Sequence, residues 1–136
     1  MSQGAQATEF FGKTYGEAMT LLVEARDYLA HREAVDRDAL VPKARLQLCC
    51  ETTRLTARLT HIMAWLMAQR AVHEGEINQE SALAGHEPLA DLAICMDGAA
   101  VESGELPYRL LSLLDRSRRL YVRVARLDEL ARRRPD

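Results

Sequence analysis

Leu106, Leu110, Leu113, Leu120, Val124, Leu127 and Ala131 follow one another in steps of three and four, with Ser117 as the one polar step. That spacing keeps one face of an α-helix apolar, and a strand, with its period of two, cannot produce it. Leu111, Leu114 and Ala125 widen the stripe. Pro107 suits a first helical turn, where a missing N–H is no loss. Arg132, Arg133 and Arg134 suit a helix C-terminus. The pattern predicts a helix over about 105–133.

Two further segments carry the same signature. Phe11, Tyr15, Ala18, Leu22, Ala25 and Leu29 predict a helix over about 8–32, with Glu9 and Glu17 toward its start and Gly12 and Gly16 weakening its first turns. Pro42 is tolerated only in a first turn, so the middle helix is predicted over about 41–73, ending before Gly75. It has two adjacent stripes: Leu48, Leu55, Leu59, Ile62, Leu66 and Gln69, then Cys49, Thr53, Ala57, Ala64, Met67 and Ala71. Two stripes mean burial over a wide arc, against both neighbouring helices or against one neighbour and a second subunit.

Residues 33–41 read as a short connection holding a single helical turn. Residues 75–105 contain Gly75, Gly85, Pro88, Gly98 and Gly104 and read as a long loop. A structureless loop of that length sits poorly in a compact domain. Leu89, Leu92, Ala93 and Met96, between Pro88 and Asp97-Gly98, predict one short helix within it. The fold class expected is all-α: one domain over 1–136, an antiparallel three-helix bundle with a long acidic loop between its second and third helices.

The length is enough to bury roughly two-thirds of the unfolded chain's surface, so no metal or disulfide is needed for folding. Three cysteines, Cys49, Cys50 and Cys95, make a poor disulfide framework and point to a reducing, cytoplasmic setting. At least one of Cys49 and Cys50, about 100° apart on a helix, is expected in the core. The N-terminal residues do not read as a signal peptide, and no apolar run is long enough to span a membrane.

The net charge of −2 is unevenly spread. Residues 74–107 hold eight acids (Glu74, Glu76, Glu80, Glu87, Asp91, Asp97, Glu102, Glu105) and no Lys or Arg. Residues 108–136 hold nine arginines against four acids. Such asymmetry points to partners or to intramolecular pairing.

No phosphate-binding glycine loop, nucleophile elbow or zinc-protease motif is present. His31, His61, His73 and His86 are scattered, and His73, His86 and Cys95 lack ligand spacing. No catalytic residue, cofactor or metal site is predicted. Trp65 is expected in the core or at a dimer interface. The candidate partner-binding residues are Arg54, Arg58, Arg70, Arg116, Arg118, Arg119, Arg123 and Arg126, read as lying on the polar faces of the second and third helices. They suit a solvated face paired with acids such as Glu51 and Asp115, or a protein-docking surface, where arginine is enriched. The alternative, a DNA- or RNA-binding regulator, is opposed by the net negative charge and the acidic loop.

Three segments resemble a known family: TYGEAMTLLVEARDYL (14–29), TTRLTARLTHIMAWLMAQRAVHEGEI (52–77) and LPYRLLSLLDRSRRLYVRVARLDEL (106–130). They are similar to the alphaproteobacterial RcdA family, the regulators of CtrA degradation, also known as a domain of unknown function. The resemblance implies a three-helix bundle that pairs as a homodimer. It implies an adaptor, gathered at a cell pole, that works with a second, priming adaptor. Together they help deliver cell-cycle proteins, including the response regulator CtrA, to the ClpXP protease. Family members carry a longer flexible tail after the last helix, whereas this sequence stops at Arg132-Arg133-Arg134-Pro135-Asp136.

Overall fold

The computed structural model describes residues 2–98 and 105–134, with side chains from residue 11 onward. Glu9, Glu102, Gly104, Pro135 and Asp136, all part of the sequence reading, lie outside the described side chains. The described chain is helical throughout, without a strand. Three long helices, α1 (Ser2–His31), α3 (Pro42–His73) and α6 (Tyr108–Arg133), are joined by shorter pieces. These are α2 (Glu33–Asp38), α4 (Gln79–Ala84), a 3₁₀ turn (Leu89–Asp91) and α5 (Ala93–Met96).

The ends follow from local chemistry. Pro42 sits at the start of α3 and Pro107 is the N-cap of α6, positions that need no amide donor. Helix α3 stops because Gly75 turns left-handed at φ 76°. Its N–H then reaches the Val72 carbonyl at 3.0 Å and the Glu76 N–H reaches Ala71 at 2.9 Å. This is a Schellman ending that satisfies two orphan carbonyls. Asn78 caps α4 by accepting from the Ser81 N–H at 2.8 Å. That helix has no apolar stripe of its own, and periodicity did not predict it.

The long helices bury apolar residues at helical spacing. Leu48, Leu55, Leu59, Ile62 and Leu66 of α3 and Leu110, Leu113, Leu120 and Val124 of α6 form the centre of the core. On α1 the buried line is Thr14, Ala18, Leu21, Ala25 and Tyr28. It is rotated from the expected Phe11–Leu29 line, so that Leu29 is exposed and Tyr28 is inside. The second α3 stripe is also corrected: Cys49, Thr53, Ala64 and Met67 face outward. Cys49 and Cys50 are both exposed. The arc instead widens the other way, to Ala44, Glu51, Arg58 and Trp65.

Helix directions are read from the contacts. Arg109 meets Asp27, Arg116 meets Glu24 and Arg123 meets Glu17, so α1 and α6 are antiparallel. Phe11 lies on Trp65 and against His73, while Leu29 shares a groove with Thr56, so α1 and α3 are antiparallel too. Arg58 meets Leu114 whereas Trp65 meets Asp128, so α3 and α6 run the same way. The expected antiparallel arrangement therefore fails for this one pair.

The residues between α3 and α6 explain why. Gln79 exchanges amide hydrogen bonds with Gln69 near the end of α3, at 2.9 and 3.1 Å. Further on, Leu89 meets Tyr121, and Cys95 meets Arg58. The chain thus returns along α3 and α6 as a packed strap, and α6 starts beside the beginning of α3. Of the 75–105 segment, the described residues 75–98 are more structured than a loop: α4, the 3₁₀ turn and α5 supply many of their backbone hydrogen bonds locally.

Candidate functional site

The eight arginines fall into three groups. Arg54, Arg58 and Arg118 grip the strap. Arg54 donates to the Ile94 carbonyl at 2.6 Å, Arg58 to Cys95 at 2.7 Å and to Asp97 at 2.6 Å, and Arg118 to Met96 at 3.3 Å. Four consecutive carbonyls around the end of α5, which no helical N–H satisfies, are thereby paired. Arg58 also donates to the Leu114 carbonyl and to the Ser117 hydroxyl on α6, at 3.0 and 3.3 Å.

Arg58 is 1% exposed. Its assignment to an exposed polar face is therefore corrected: its guanidinium joins α3, the strap and α6 inside the protein. Burial, reinforced by Arg54 alongside, lowers its pKa to about 10, with Glu51 opposing. The group stays charged at neutral pH. Glu51, itself buried, accepts from Arg54 Nε at 3.1 Å.

Arg116 and Arg123 form the second group, with Arg109. They cross from α6 to α1, at 2.6 Å to Glu24, 2.5 Å to Glu17 and, for Arg109, 3.3 Å to Asp27. Seven-residue spacing on α6 repeats the contact every two turns. Here the intramolecular pairing reading holds. The third group faces water. Arg70 pairs with Glu74 at 3.2 Å, and Arg119 with Asp115 at 3.3 Å, each along its own helix. Arg126 is exposed and has no ion pair among the described residues.

A cluster that sequence reasoning missed fixes the other end of the strap. Asp128 is fully buried. It accepts from Trp65 Nε1 at 3.0 Å, from the Leu89 N–H at 3.0 Å and from Arg132 Nε at 3.1 Å. Tyr121, two helical turns earlier on the same face, donates to the Leu89 carbonyl at 2.6 Å. Arg132 continues to the carbonyls of Leu83 and His86, at 3.3 and 3.0 Å. The one sequence clue was the i, i+4 pair of Asp128 and Arg132 lying on the edge of an apolar stripe. Trp65 is buried, as the core reading placed it.

Two grooves flank α1. The first, of about 710 Å³, lies between α1 and α6 and is lined by Glu17, Thr20, Leu21 and Val122 together with Arg116, Arg118, Arg119, Arg123 and Arg126. The second, of about 760 Å³, lies between α1 and α3 and is mostly apolar, with Leu22, Ala25, Leu29, Leu59, Met63 and Met67. Among the described residues, no three His, Cys, Asp or Glu side chains are grouped to hold a metal ion. His73 faces Phe11, His86 lies by Arg132 and Cys95 lies in the core. No described helix is long and apolar enough to cross a membrane.

The comparisons with known proteins match this helical body. Residues 2–136 match a family described as protein of unknown function (DUF1465). The crystal structure of RcdA from Caulobacter crescentus CB15 aligns with a TM-score of 0.71 and 39% sequence identity, over 89% of this chain and 89% of that one. No curated protein matches. With the family model matching residues 2–136 and RcdA 39% identical over 89% of both chains, the chain belongs to the RcdA-like DUF1465 family.

Proposed function

We propose that the protein is a non-catalytic adaptor in cell-cycle-regulated proteolysis, helping to deliver substrates such as the response regulator CtrA to the ClpXP protease. The observation that carries this reading is the 39% identity to RcdA over 89% of both chains. The described structure is in keeping with it: its buried polar groups are used to hold helices and strap together. ATP hydrolysis and peptide cleavage would belong to the protease. The priming adaptor, the cytoplasmic setting and the cell pole belong to the same proposal.

A homodimer is part of this reading. The apolar groove between α1 and α3 leaves Leu29 and Met67 exposed beside Leu22 and Met63. Contiguous apolar patches of this kind mark association surfaces. The nucleic-acid alternative loses much of its support, because most of the arginines it relied on already pair with this chain's own carbonyls and carboxylates.

The direct test is reconstituted degradation. Purified ClpXP, its priming adaptor and a response-regulator substrate are combined with and without this protein, and substrate loss is followed. Faster loss at unchanged ATPase rate is the expected result. No acceleration, together with no recovery of protease, adaptor or response regulator in a pull-down from cell lysate, would overturn the reading.

A further inference from the structure

Between α1 and α6 the structure sets positive charge along an apolar floor. Leu21 and Val122 form that floor, and Arg116, Arg119, Arg123 and Arg126 line it, with Glu17 as the one acid. Arg123 is already paired to Glu17 and Arg116 to Glu24. Arg119 reaches only Asp115 of its own helix, with 76% of its side chain exposed, and Arg126 has no ion pair among the described residues. The α1–α6 interface does not need these last two. They supply charge at the surface without holding the fold.

Their spacing limits what fits. Arg116 to Arg126 covers about 15 Å along a helix rising 1.5 Å per residue. That is the reach of about five extended residues, with alternate side chains about 6.6 Å apart on one side. Arg119 and Arg126, the two not tied to α1, are seven residues apart, about 10.5 Å along the helix. We propose that this groove binds an extended acidic segment of a partner protein, with carboxylates four positions apart meeting Arg119 and Arg126 and an aliphatic side chain midway, on the same side of the segment, on Val122 and Leu21.

Charge complementarity selects the occupant. A carboxylate takes a guanidinium in a bidentate pair, and the apolar floor offers a place to an aliphatic side chain that a phosphodiester lacks. The partner is therefore an acidic peptide segment, not a nucleic acid. This inference deepens the adaptor reading and rests on it, naming the chemistry of the segment that is captured.

The probe is a fluorescein-labelled peptide with the repeat Asp-Ser-Leu-Ser, which sets Asp and Leu on one face of an extended segment, followed by anisotropy on the full chain. Controls are the analogue with Asn in place of Asp and a random DNA duplex as competitor. We expect saturable binding by the acidic peptide, at least tenfold weaker for the Asn analogue and for Arg119→Glu/Arg126→Glu, with a smaller loss for Arg119→Lys/Arg126→Lys, which keeps the charge but not the bidentate fork. Circular dichroism should be unchanged in both variants. No binding, equal binding of the Asn peptide, insensitivity to the Glu variant or displacement by duplex DNA would each overturn the proposal. The degradation assay separates the two readings. Peptide binding that depends on the two arginines, without accelerated degradation, would sink the adaptor function and leave the groove. Accelerated degradation unchanged by Arg119→Glu/Arg126→Glu would sink the groove and leave the adaptor.

Discussion

Arg58 of α3 donates from Nε to the carbonyl oxygen of Cys95 at 2.7 Å, within a core built mainly of leucine, alanine and aromatic side chains. Its two Nη groups reach Leu114 and Asp97, so one guanidinium joins three separate segments of chain. A buried charge is costly unless its donors are filled. Here they are filled by backbone oxygens, and those of Cys95 and Asp97 lie at the end of α5, beyond the reach of its helical N–H groups.

Arg58→Met should therefore lower stability by about 3 kcal/mol, since it leaves the buried Cys95 carbonyl without its donor and cuts the links to Asp97 and to α6. Arg58→Lys should recover little of it, because an ammonium cannot reproduce the planar fork. Urea unfolding of the three proteins checks the order. Hydrogen exchange should show residues 93–98 opening first in Arg58→Met, ahead of α1.

Asp128→Ala removes the acceptor for Trp65 Nε1, the Leu89 N–H and Arg132 Nε together. The expected loss is about 2–3 kcal/mol, the cost of leaving buried donors unmatched. Trp65 is the single tryptophan, so its emission reports on this site alone. A red shift in the folded variant is expected; an unchanged spectrum and stability would contradict the role given to Asp128.

What was legible in the sequence, and what was not, divides along one physical line. Apolar residues at helical spacing located all three long helices, and Pro42, Gly75 and Pro107 marked ends within a few residues. Polar residues were sent to solvent by the same rule. Arg58 and Asp128 break it because their partners lie far along the chain, on the strap and on α6 or α3, and Glu51 because its own partner, Arg54 three residues on, is turned to the strap. Nothing in local spacing reveals that Cys95 or Leu89 will come to meet them. For the same reason the sequence could not show that α3 and α6 run in one direction, since that depends on where the strap is tied. The second stripe of α3 was visible too, yet Cys49, Ala64 and Met67 on it remain exposed.

Alkaline pH should unfold the protein partly through its buried phenols. Burial, with Asp36 accepting from it at 2.9 Å, pushes the Tyr28 pKa up. Burial and then the neighbouring Cys95 push Tyr121 up. A phenol whose folded pKa exceeds its unfolded value holds its proton better in the native state. Its contribution is complete below about pH 10, the ordinary phenol value, and fades as pH rises beyond it. Arg58 acts oppositely, because the unfolded chain binds its proton more tightly. Tyr121→Phe should thus flatten the fall in stability above about pH 10. The phenolate absorbance lost in that variant should be signal that develops late in the wild type. Equal slopes would show that the phenol does not couple to folding.

Gly75→Ala tests the ending of α3. With φ at 76°, a Cβ there meets no neighbouring atom within 4 Å, so the cost is conformational and not steric crowding from elsewhere. A left-handed residue other than glycine costs about 1–2 kcal/mol. Thermal unfolding should show a loss of that size, with Gly75→Asn losing less, since asparagine tolerates this conformation better. A loss well above that range would mean that the glycine serves some further contact.

The α1–α6 ladder makes a last, quantitative claim. Arg109, Arg116 and Arg123 each face an acid of α1, and all six side chains are at least two-fifths exposed. Exposed pairs contribute about 0.2–1 kcal/mol each and are screened by salt. Arg123→Ala should therefore lower stability by less than about 1 kcal/mol at low ionic strength. That difference from wild type should shrink when salt is raised to about 1 M, where the screening length falls to about 3 Å. The Arg58→Met difference should persist at the same salt, because ions do not enter the core. Urea titrations at two salt concentrations give both comparisons. If Arg123→Ala cost as much as Arg58→Met, and kept that cost in salt, the division of the arginines into surface pairs and a buried pin would be wrong.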